Sequence, residues 1–280
     1  MPKVIVEEST VFKTSVIGSD ELALSEKTSV IKGTALMVTD YSPARNQHIW
    51  LQFDMPLTAA DGTTQLQEGY AYEPHVKLEG EEVNQVIKLD VPYFSQLNND
   101  SDIFGSGSRQ CNTTANAMLA DYLLEGELTR RAREQGLNEP ESAYIPLVAK
   151  YGDTTDHGAQ TEALRDLGIE SYFSYALSEK DLLASLRVKV PVVIGVAYRS
   201  SGHIIVVIGY DHGSQRWLMN DPYGIRYGAS DSYEVGANGA GDIYSQETMQ
   251  RIYWDMGREA GWGRIVTSVR GQPTGLPTGL

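Results

Sequence analysis

The 280-residue chain has a single cysteine, Cys111. That excludes an intrachain disulfide and any cluster of thiolates around a metal. Its five histidines, His48, His75, His157, His203 and His212, show none of the close helical spacings from which zinc enzymes build a site. No metal or organic cofactor is therefore expected. Basic residues are also few, 23 Lys and Arg against 37 Asp and Glu, for a formal charge of -14. Phosphate backbones call for a basic surface, so nucleic acid is not an expected partner. Long apolar runs are missing too. Pro191 to Ala197 and Ile204 to Gly209 fall far short of the ~20 residues that cross a bilayer, and no membrane span is expected. The opening Met1-Pro2-Lys3-Val4-Ile5-Val6-Glu7-Glu8 holds no sustained apolar stretch, so no secretory signal is expected.

What is present is an ordinary globular composition, 41% hydrophobic and 21% charged. The length suits one large domain or two of common size. Residues 1–85 carry short β-prone runs at Val4 to Val6, Thr34 to Val38, Ile49 to Phe53 and Tyr70 to Tyr72. Turn-formers at Gly33, Ser42-Pro43 and Asp61-Gly62 separate them. This pattern predicts a small all-β barrel or sandwich. The stretch has 6 basic and 13 acidic residues, net -7; the remainder has 17 and 24, also -7. The boundary is expected within Leu78 to Val83, where Glu79-Gly80-Glu81-Glu82 breaks the pattern.

Beyond it, helix and strand mix. Val86 to Val91 reads as a strand ended by Pro92. Cys111 to Leu124 reads as a helix, with Ala115, Met118, Leu119, Tyr122 and Leu123 at helical spacing and Gly126 as its stop. Gln160 to Leu167 is a shorter helix closed by Gly168, and Ser178 with Asp181 forms a capping pair for a helix through Leu186. Val190 to Ala197, His203 to Tyr210 and Trp217 to Asn220 read as strands. The first two are apolar enough for a buried central sheet, and Asp211-His212-Gly213-Ser214 turns the last two into a hairpin. The end of the chain, Pro273 to Leu280, is two copies of Pro-Thr-Gly-Leu and reads as a pliable or partner-bound tail. Asp231 to Asp242 departs from the spacing of a calcium loop and reads as a lid or surface loop.

Lone cysteines are commonly small buried hydrophobes. Cys111, however, follows the polar approach Ser106-Gly107-Ser108-Arg109-Gln110 and enters the first turn of a helix, where free amides and the positive end of the macrodipole favour a thiolate. A nucleophilic thiol needs a base. His203 opens an apolar strand and is the best placed of the five histidines; the other four read as ordinary hydrogen-bonded side chains. The base needs an orienting group, and Asp221, in Asn220-Asp221-Pro222-Tyr223-Gly224, is returned alongside His203 by the hairpin. That segment equally fits a plain turn. Gln96, in Val91-Pro92-Tyr93-Phe94-Ser95-Gln96, offers an amide to an oxyanion next to the Cys111 backbone N–H, although a loop glutamine is often merely solvated. Tyr93, Phe94, Trp217, Tyr223, Trp254 and Trp262 are candidate cleft aromatics. Tyr223, beside the acid, is chosen among them as a substrate contact.

Four segments in this order, Val-Pro-Tyr-Phe-Ser-Gln (91–96), Cys-Asn-Thr-Thr-Ala-Asn-Ala-Met (111–118), Gly-His-Ile-Ile-Val-Val-Ile-Gly-Tyr (202–210) and Asn-Asp-Pro-Tyr-Gly (220–224), resemble cysteine peptidase family thirty-nine. This is the papain-like group of the bacteriocin-leader peptidases and their stand-alone relatives. The resemblance spans residues 88–265. It implies Cys111 as nucleophile, His203 as general base, Asp221 as the orienting acid and Gln96 as the oxyanion-hole amide. Family members often have glycine after the nucleophile. Here Asn112 stands there and is taken, with Tyr223, as substrate-binding. No membrane-spanning exporter accompanies the motifs, which disfavours bacteriocin maturation.

Residues 19–34, with Ser19-Asp20-Glu21-Leu22, Ser25-Glu26-Lys27 and Lys32-Gly33-Thr34, are similar to the Src-homology-type barrels that precede such peptidases in cyanobacterial and phage proteins. The implied fold class is α+β: a small β-barrel (1–85), a papain-like cysteine peptidase domain (86–270) and a tail (271–280). The implied activity is hydrolysis of peptide bonds in bacterial cell-wall peptidoglycan, as a lysin or phage tail-associated hydrolase. Cell-wall or phage tail proteins are the expected partners, and the location is the virion, or the host cytoplasm before release. The alternative is a peptidase-like structural or binding component that has lost activity; a peptidase of some other protein target is a further one.

Overall fold

Short runs of alternating or continuous apolar residues become strands wherever a turn-former lets the chain reverse. In the computed structural model, which describes residues 2–44, 47–80, 85–99 and 101–278, the chain divides into two compact units. They are residues 1–86 with 212–215, and residues 87–211 with 216–280. Part of the boundary expected from the sequence, residues 81–83, lies outside the described residues, as do residues 279 and 280 of the tail.

The first unit is built from β1 (Lys3–Val6), β2 (Thr10–Lys13), β3 (Lys27–Val30), β4 (Ala35–Ala44), β5 (His48–Thr58), β6 (Gln65–Tyr72) and β7 (Val76–Glu79). They form one sheet in the order β3-β2-β6-β5-β4-β1-β7. Val4, Val6, Phe12, Val38, Ile49, Leu51, Phe53 and Ala71 make its core, with the Phe12 and Phe53 rings stacked at 5.7 Å. The expected barrel is not found as a closed one: among the described residues, the terminal strands β3 and β7 are not paired with each other. The pairing of the long strands β4 and β5 carries a register shift between Val38 and Asp40.

The second unit opens within β8 (Val86–Lys88), then has α1 (Cys111–Leu123), α2 (Glu127–Glu134), α3 (Glu141–Ala149), α4 (His157–Asp166), β9 (Ile169–Leu177) and α5 (Glu179–Arg187). There follow β10 (Val192–Val196), β11 (His203–Asp211), β12 (Arg216–Asn220), β13 (Gly224–Arg226), β14 (Tyr233–Val235), β15 (Ala240–Ser245), α6 (Gln246–Ile252), β16 (Gly261–Val269) and β17 (Gln272–Pro273). Its main sheet runs β15-β12-β11-β10-β16-β17, with β9 also on β16. The pairings among β10, β11, β12, β15 and β16 are antiparallel. β10 is buried throughout and β11 nearly so, as their unbroken apolar runs require. Helix α1 is buried along residues 112–121, on every face and not only along its apolar stripe. That is the environment of a central helix rather than of a surface one.

Local chemistry sets the helix ends. Gly168, at φ +81°, follows α4 as the left-handed stop. At α5, the Ser178 N–H donates to Asp181 Oδ2 at 2.7 Å, so aspartate serves where glutamate is usual. The tail is less free than its composition implies. Thr274 Oγ1 donates to the Val266 carbonyl at 2.8 Å, and Leu276 is buried in the core of this unit. The first Pro-Thr-Gly-Leu copy is thus docked. No helix among the described residues is long and apolar enough to cross a membrane.

Candidate active site

Cys111 begins α1 and is half-buried. Its position follows from the loop before it. The N-cap residue Gln110 is fully buried and its amide donates to the Gly105 carbonyl at 2.9 Å, while its own carbonyl accepts from Thr114 N at 2.9 Å. Gly107 allows the closest approach: a Cβ there would lie 2.1 Å from the Gln96 carbonyl oxygen, so only glycine fits. Across that approach, Gln96 Nε2 donates to the Gly107 carbonyl at 2.9 Å.

His203 is the first residue of β11 and is buried. Its Nε2 lies 2.7 Å from Asp221 Oδ1, and the Cys111 side chain is near enough to raise the proton affinity of the same imidazole. With Nε2 taken by the acid, Nδ1 is the nitrogen left for the sulfur. Burial disfavours the charged ring. The Asp221 charge and hydrogen bond, with a further contribution from Cys111, more than offset it, and His203 is pushed up to about 10.

Asp221 follows β12, whose register with β11 sets Asn220 opposite Val206. The carboxylate is fully buried and its two oxygens are saturated. Oδ1 accepts from His203 and from Tyr223 N at 2.9 Å. Oδ2 accepts from Tyr233 Oη at 2.9 Å and Tyr244 Oη at 3.0 Å. Burial raises a carboxyl's proton affinity; here the His203 charge and these donors reverse that, and Asp221 stays below the usual carboxylate range. The neighbouring Asn220 sends its amide to the Val91 and Pro92 carbonyls at 3.1 and 3.3 Å, and Gln96 N donates to the Pro222 carbonyl at 2.9 Å. The 91–96 segment is thereby stitched to the acid's loop. Gln96 itself is buried; one N–H of its amide is committed to Gly107, and its Oε1 has no partner.

The structure therefore brings Cys111 to His203, hydrogen-bonds His203 to Asp221, and sets Gln96 against the cysteine loop. Of the other two predicted residues, Tyr223 is half-buried, with its ring 5.9 Å from that of His203. Asn112 is buried and turns inward: its amide donates to the Thr154 carbonyl at 3.2 Å and lies 3.4 Å from His157 Nδ1. Its side chain ties α1 to the start of α4 and presents little to solvent. Among the candidate cleft aromatics, Phe94, Trp217 and Trp254 are buried core residues, whereas Tyr93 and Trp262 are half-buried.

The two phenols that hydrogen-bond Asp221 are the members of this cluster that reading the sequence misses. Tyr233 falls in the segment read as a lid or surface loop; in the structure it lies on β14, which pairs with β13. The one compositional hint is 16 tyrosines against 5 phenylalanines, an excess of rings that carry a hydroxyl. Among the described residues, no group of three or more His, Cys, Asp or Glu is placed to hold a metal ion.

A thiol, an imidazole and a carboxylate in sequence, with an amide beside the thiol's loop, define the cysteine-dependent hydrolase class. Residues 88–250, more than half of the chain, match the Peptidase C39-like family, and the chain belongs to it. That membership points to a hydrolase of the papain-like cysteine peptidase type. The α/β second unit, with its six helices among the described residues, is consistent with such a domain. No curated protein matches the chain.

Proposed function

We propose that the protein is a cysteine peptidase that cuts peptide bonds of bacterial cell-wall peptidoglycan, and that a phage carries it as a lysin or tail-associated hydrolase. The observation that carries the catalytic part is the setting of His203, hydrogen-bonded to Asp221 and close enough to Cys111 for the two to influence one another. In the proposed reaction the Cys111 thiol proton passes to His203, the sulfur adds to the carbonyl carbon and the C=O electrons move onto oxygen. The free N–H of Gln96 and the backbone N–H of Cys111 steady that oxyanion. The tetrahedral intermediate collapses, the C–N bond breaks, and the imidazolium gives its proton to the leaving amine, leaving a thioester. Water then attacks the thioester with His203 accepting its proton, and the carboxylic acid departs as the sulfur is regenerated. Asp221 keeps the imidazole in one tautomer and orientation throughout. Tyr223 borders the substrate in this reading, and Asn112 acts by fixing the first turn that presents the sulfur.

The murein assignment rests on a different support, the likeness of residues 19–34 to the Src-homology-type barrels that precede such peptidases in cyanobacterial and phage proteins. The test separates the two parts. Purified protein and its Cys111→Ala variant are incubated with purified murein and, in parallel, with an unfolded protein substrate. Peptides released from murein by the native protein alone support the whole reading. Release from the protein substrate alone keeps the mechanism and overturns the murein assignment. Equal turnover by Cys111→Ala overturns the mechanism.

A further inference from the structure

We infer that Tyr233 is a positioning residue that holds both the base and its acid in working geometry, an inference that rests on the reading of Cys111 and His203 as a catalytic pair. Three independent contacts converge on this one side chain. Its hydroxyl donates to Asp221 Oδ2 at 2.9 Å, on the oxygen that His203 does not use. Its ring stands edge-on to the His203 imidazole, with centroids 5.8 Å apart and planes at 86°. Its hydroxyl also accepts from Arg226 Nη1 at 3.4 Å. A buried imidazole has two soft torsions, and a hydrogen bond to one carboxylate oxygen restrains the ring without fixing its tilt. The Tyr233 ring supplies the missing restraint, and the same residue stops the carboxylate from rotating away.

Tyr233 is itself immobilised. It is the cross-strand partner of Arg226 in the β13–β14 ribbon. Arg226 is buried and spends its other guanidinium donors on the Ser230 carbonyl at 3.0 Å and the Ala197 carbonyl at 2.8 Å. The Tyr198 and Tyr223 rings lie 5.2 and 5.3 Å from that of Tyr233, and 6.0 and 5.9 Å from His203. The three rings fence the imidazole, and the ribbon that brings Tyr233 into place serves the site rather than the sheet.

Because Cys111 is the only cysteine, its rate of alkylation by iodoacetamide reads the state of the pair without any substrate. The rate is measured in the full chain for the native protein, for Tyr233→Phe, which keeps the ring, and for Tyr233→Leu, which loses it. Each substitution is made in the native and in the Asp221→Asn background. A hydrogen bond to a buried charge is worth roughly ten-fold in an equilibrium. Tyr233→Phe is therefore expected to slow alkylation by roughly that factor, with Tyr233→Leu slower still. In the Asp221→Asn background the Phe substitution changes the rate by less than about two-fold, since the carboxylate it acts through is gone. A residue that merely supports the fold slows both backgrounds equally, and that result overturns the inference; so does a Tyr233→Phe rate equal to the native one. If Tyr233→Leu fails to fold, the Phe pair alone decides. A native rate no faster than that of free N-acetylcysteine overturns the catalytic reading beneath, whatever Tyr233 does.

Discussion

Replacing Asp221 separates two things that a buried acid supplies to its histidine, a place and a charge. Asparagine has the same shape. The Tyr223 N–H that meets Oδ1 at 2.9 Å belongs to the backbone and cannot turn, so the amide oxygen takes that position and still accepts from His203. The amide N–H₂ then faces the Tyr233 and Tyr244 hydroxyls, which can rotate to accept. Position survives and charge is lost. Without the anion, burial dominates at His203, whose proton affinity falls from about 10 to the ordinary 6.5 or lower. At about 1.4 kcal/mol per unit, this is on the order of 5 kcal/mol of lost preference for the imidazolium. The sign for stability follows. A raised histidine stabilises the fold fully below 6.5, and that contribution disappears as pH climbs through about 10. The lowered acid contributes above its ordinary 3.8 and is lost in stronger acid. The pair thus stabilises the native protein between those limits, and Asp221→Asn flattens that window. Asp221→Ala instead strips the acceptor from four donors, the buried His203 among them, and costs about 3–5 kcal/mol at neutral pH. Urea unfolding at several pH values and an NMR titration of the His203 ring measure both quantities. An Asp221→Asn protein whose His203 stays protonated well above neutrality, or an Asp221→Ala protein as stable as the native one, refutes this account.

Three further outcomes are expected. Gly195→Ala places a methyl 2.2–2.4 Å from three atoms of the Trp262 ring; the ring must move, stability falls by about 1–3 kcal/mol, and the tryptophan emission shifts, whereas unchanged emission and melting temperature contradict the packing described. His157 is held down to about 4 by burial and by the nearby Arg264 charge, so the folded state resists its protonation; its contribution is complete above 6.5 and fades as pH falls towards 4. Melting temperature against pH therefore drops less steeply for His157→Phe than for the native protein over that range, and parallel curves count against this. Under the proposed mechanism Gln96→Ala keeps Cys111, His203 and Asp221 but removes an oxyanion donor, so kcat falls by roughly 10²–10³ with KM little changed; a loss confined to KM assigns Gln96 to substrate binding instead.

The parts of this site that the sequence makes legible are those with local causes. Cys111 opens a helix because a polar, glycine-bearing approach meets a helix-forming run, and His203 opens a strand because the apolar run begins right after it. Asp221 comes beside His203 because a short turn joins β11 to β12 and fixes their register. Gln96 required only that its segment reach the same end of the sheet, which Asn220 and Pro222 secure. What the sequence hides is set by distant pairing. β9 and β16 find each other across everything from α5 to α6, and neither run has a pattern that names its partner. The side chain of Asn112 points inward because the carbonyl of Thr154, forty-odd residues on, waits for it. Strand closure in the first unit is likewise a property of how the end strands curve, which alternation along each strand does not encode. The tail reads as pliable because Pro, Thr and Gly dominate it, but one leucine reaching a core outweighs that composition.

The phenols on Asp221 explain why an acid, and not only an amide, can occupy this place. A carboxylate has about four lone-pair sites, and taking it out of water while ionised costs several kcal/mol unless they are filled. Here His203, the Tyr223 backbone, Tyr233 and Tyr244 provide four donors, two to each oxygen. Two of the four come from β14 and β15, elements outside the hairpin that carries the histidine and the acid. The charge that keeps His203 protonated is thus affordable only once the chain beyond Asp221 has folded back over it. It follows that disrupting the β13–β14 ribbon, for instance by Gly224→Val, should silence the thiol while leaving Cys111 and His203 on intact elements. A Cβ at Gly224 would sit 2.2 Å from the Glu234 carbonyl oxygen, across the ribbon. Undiminished alkylation of Cys111 in that variant would show that the acid holds its charge without the ribbon's help.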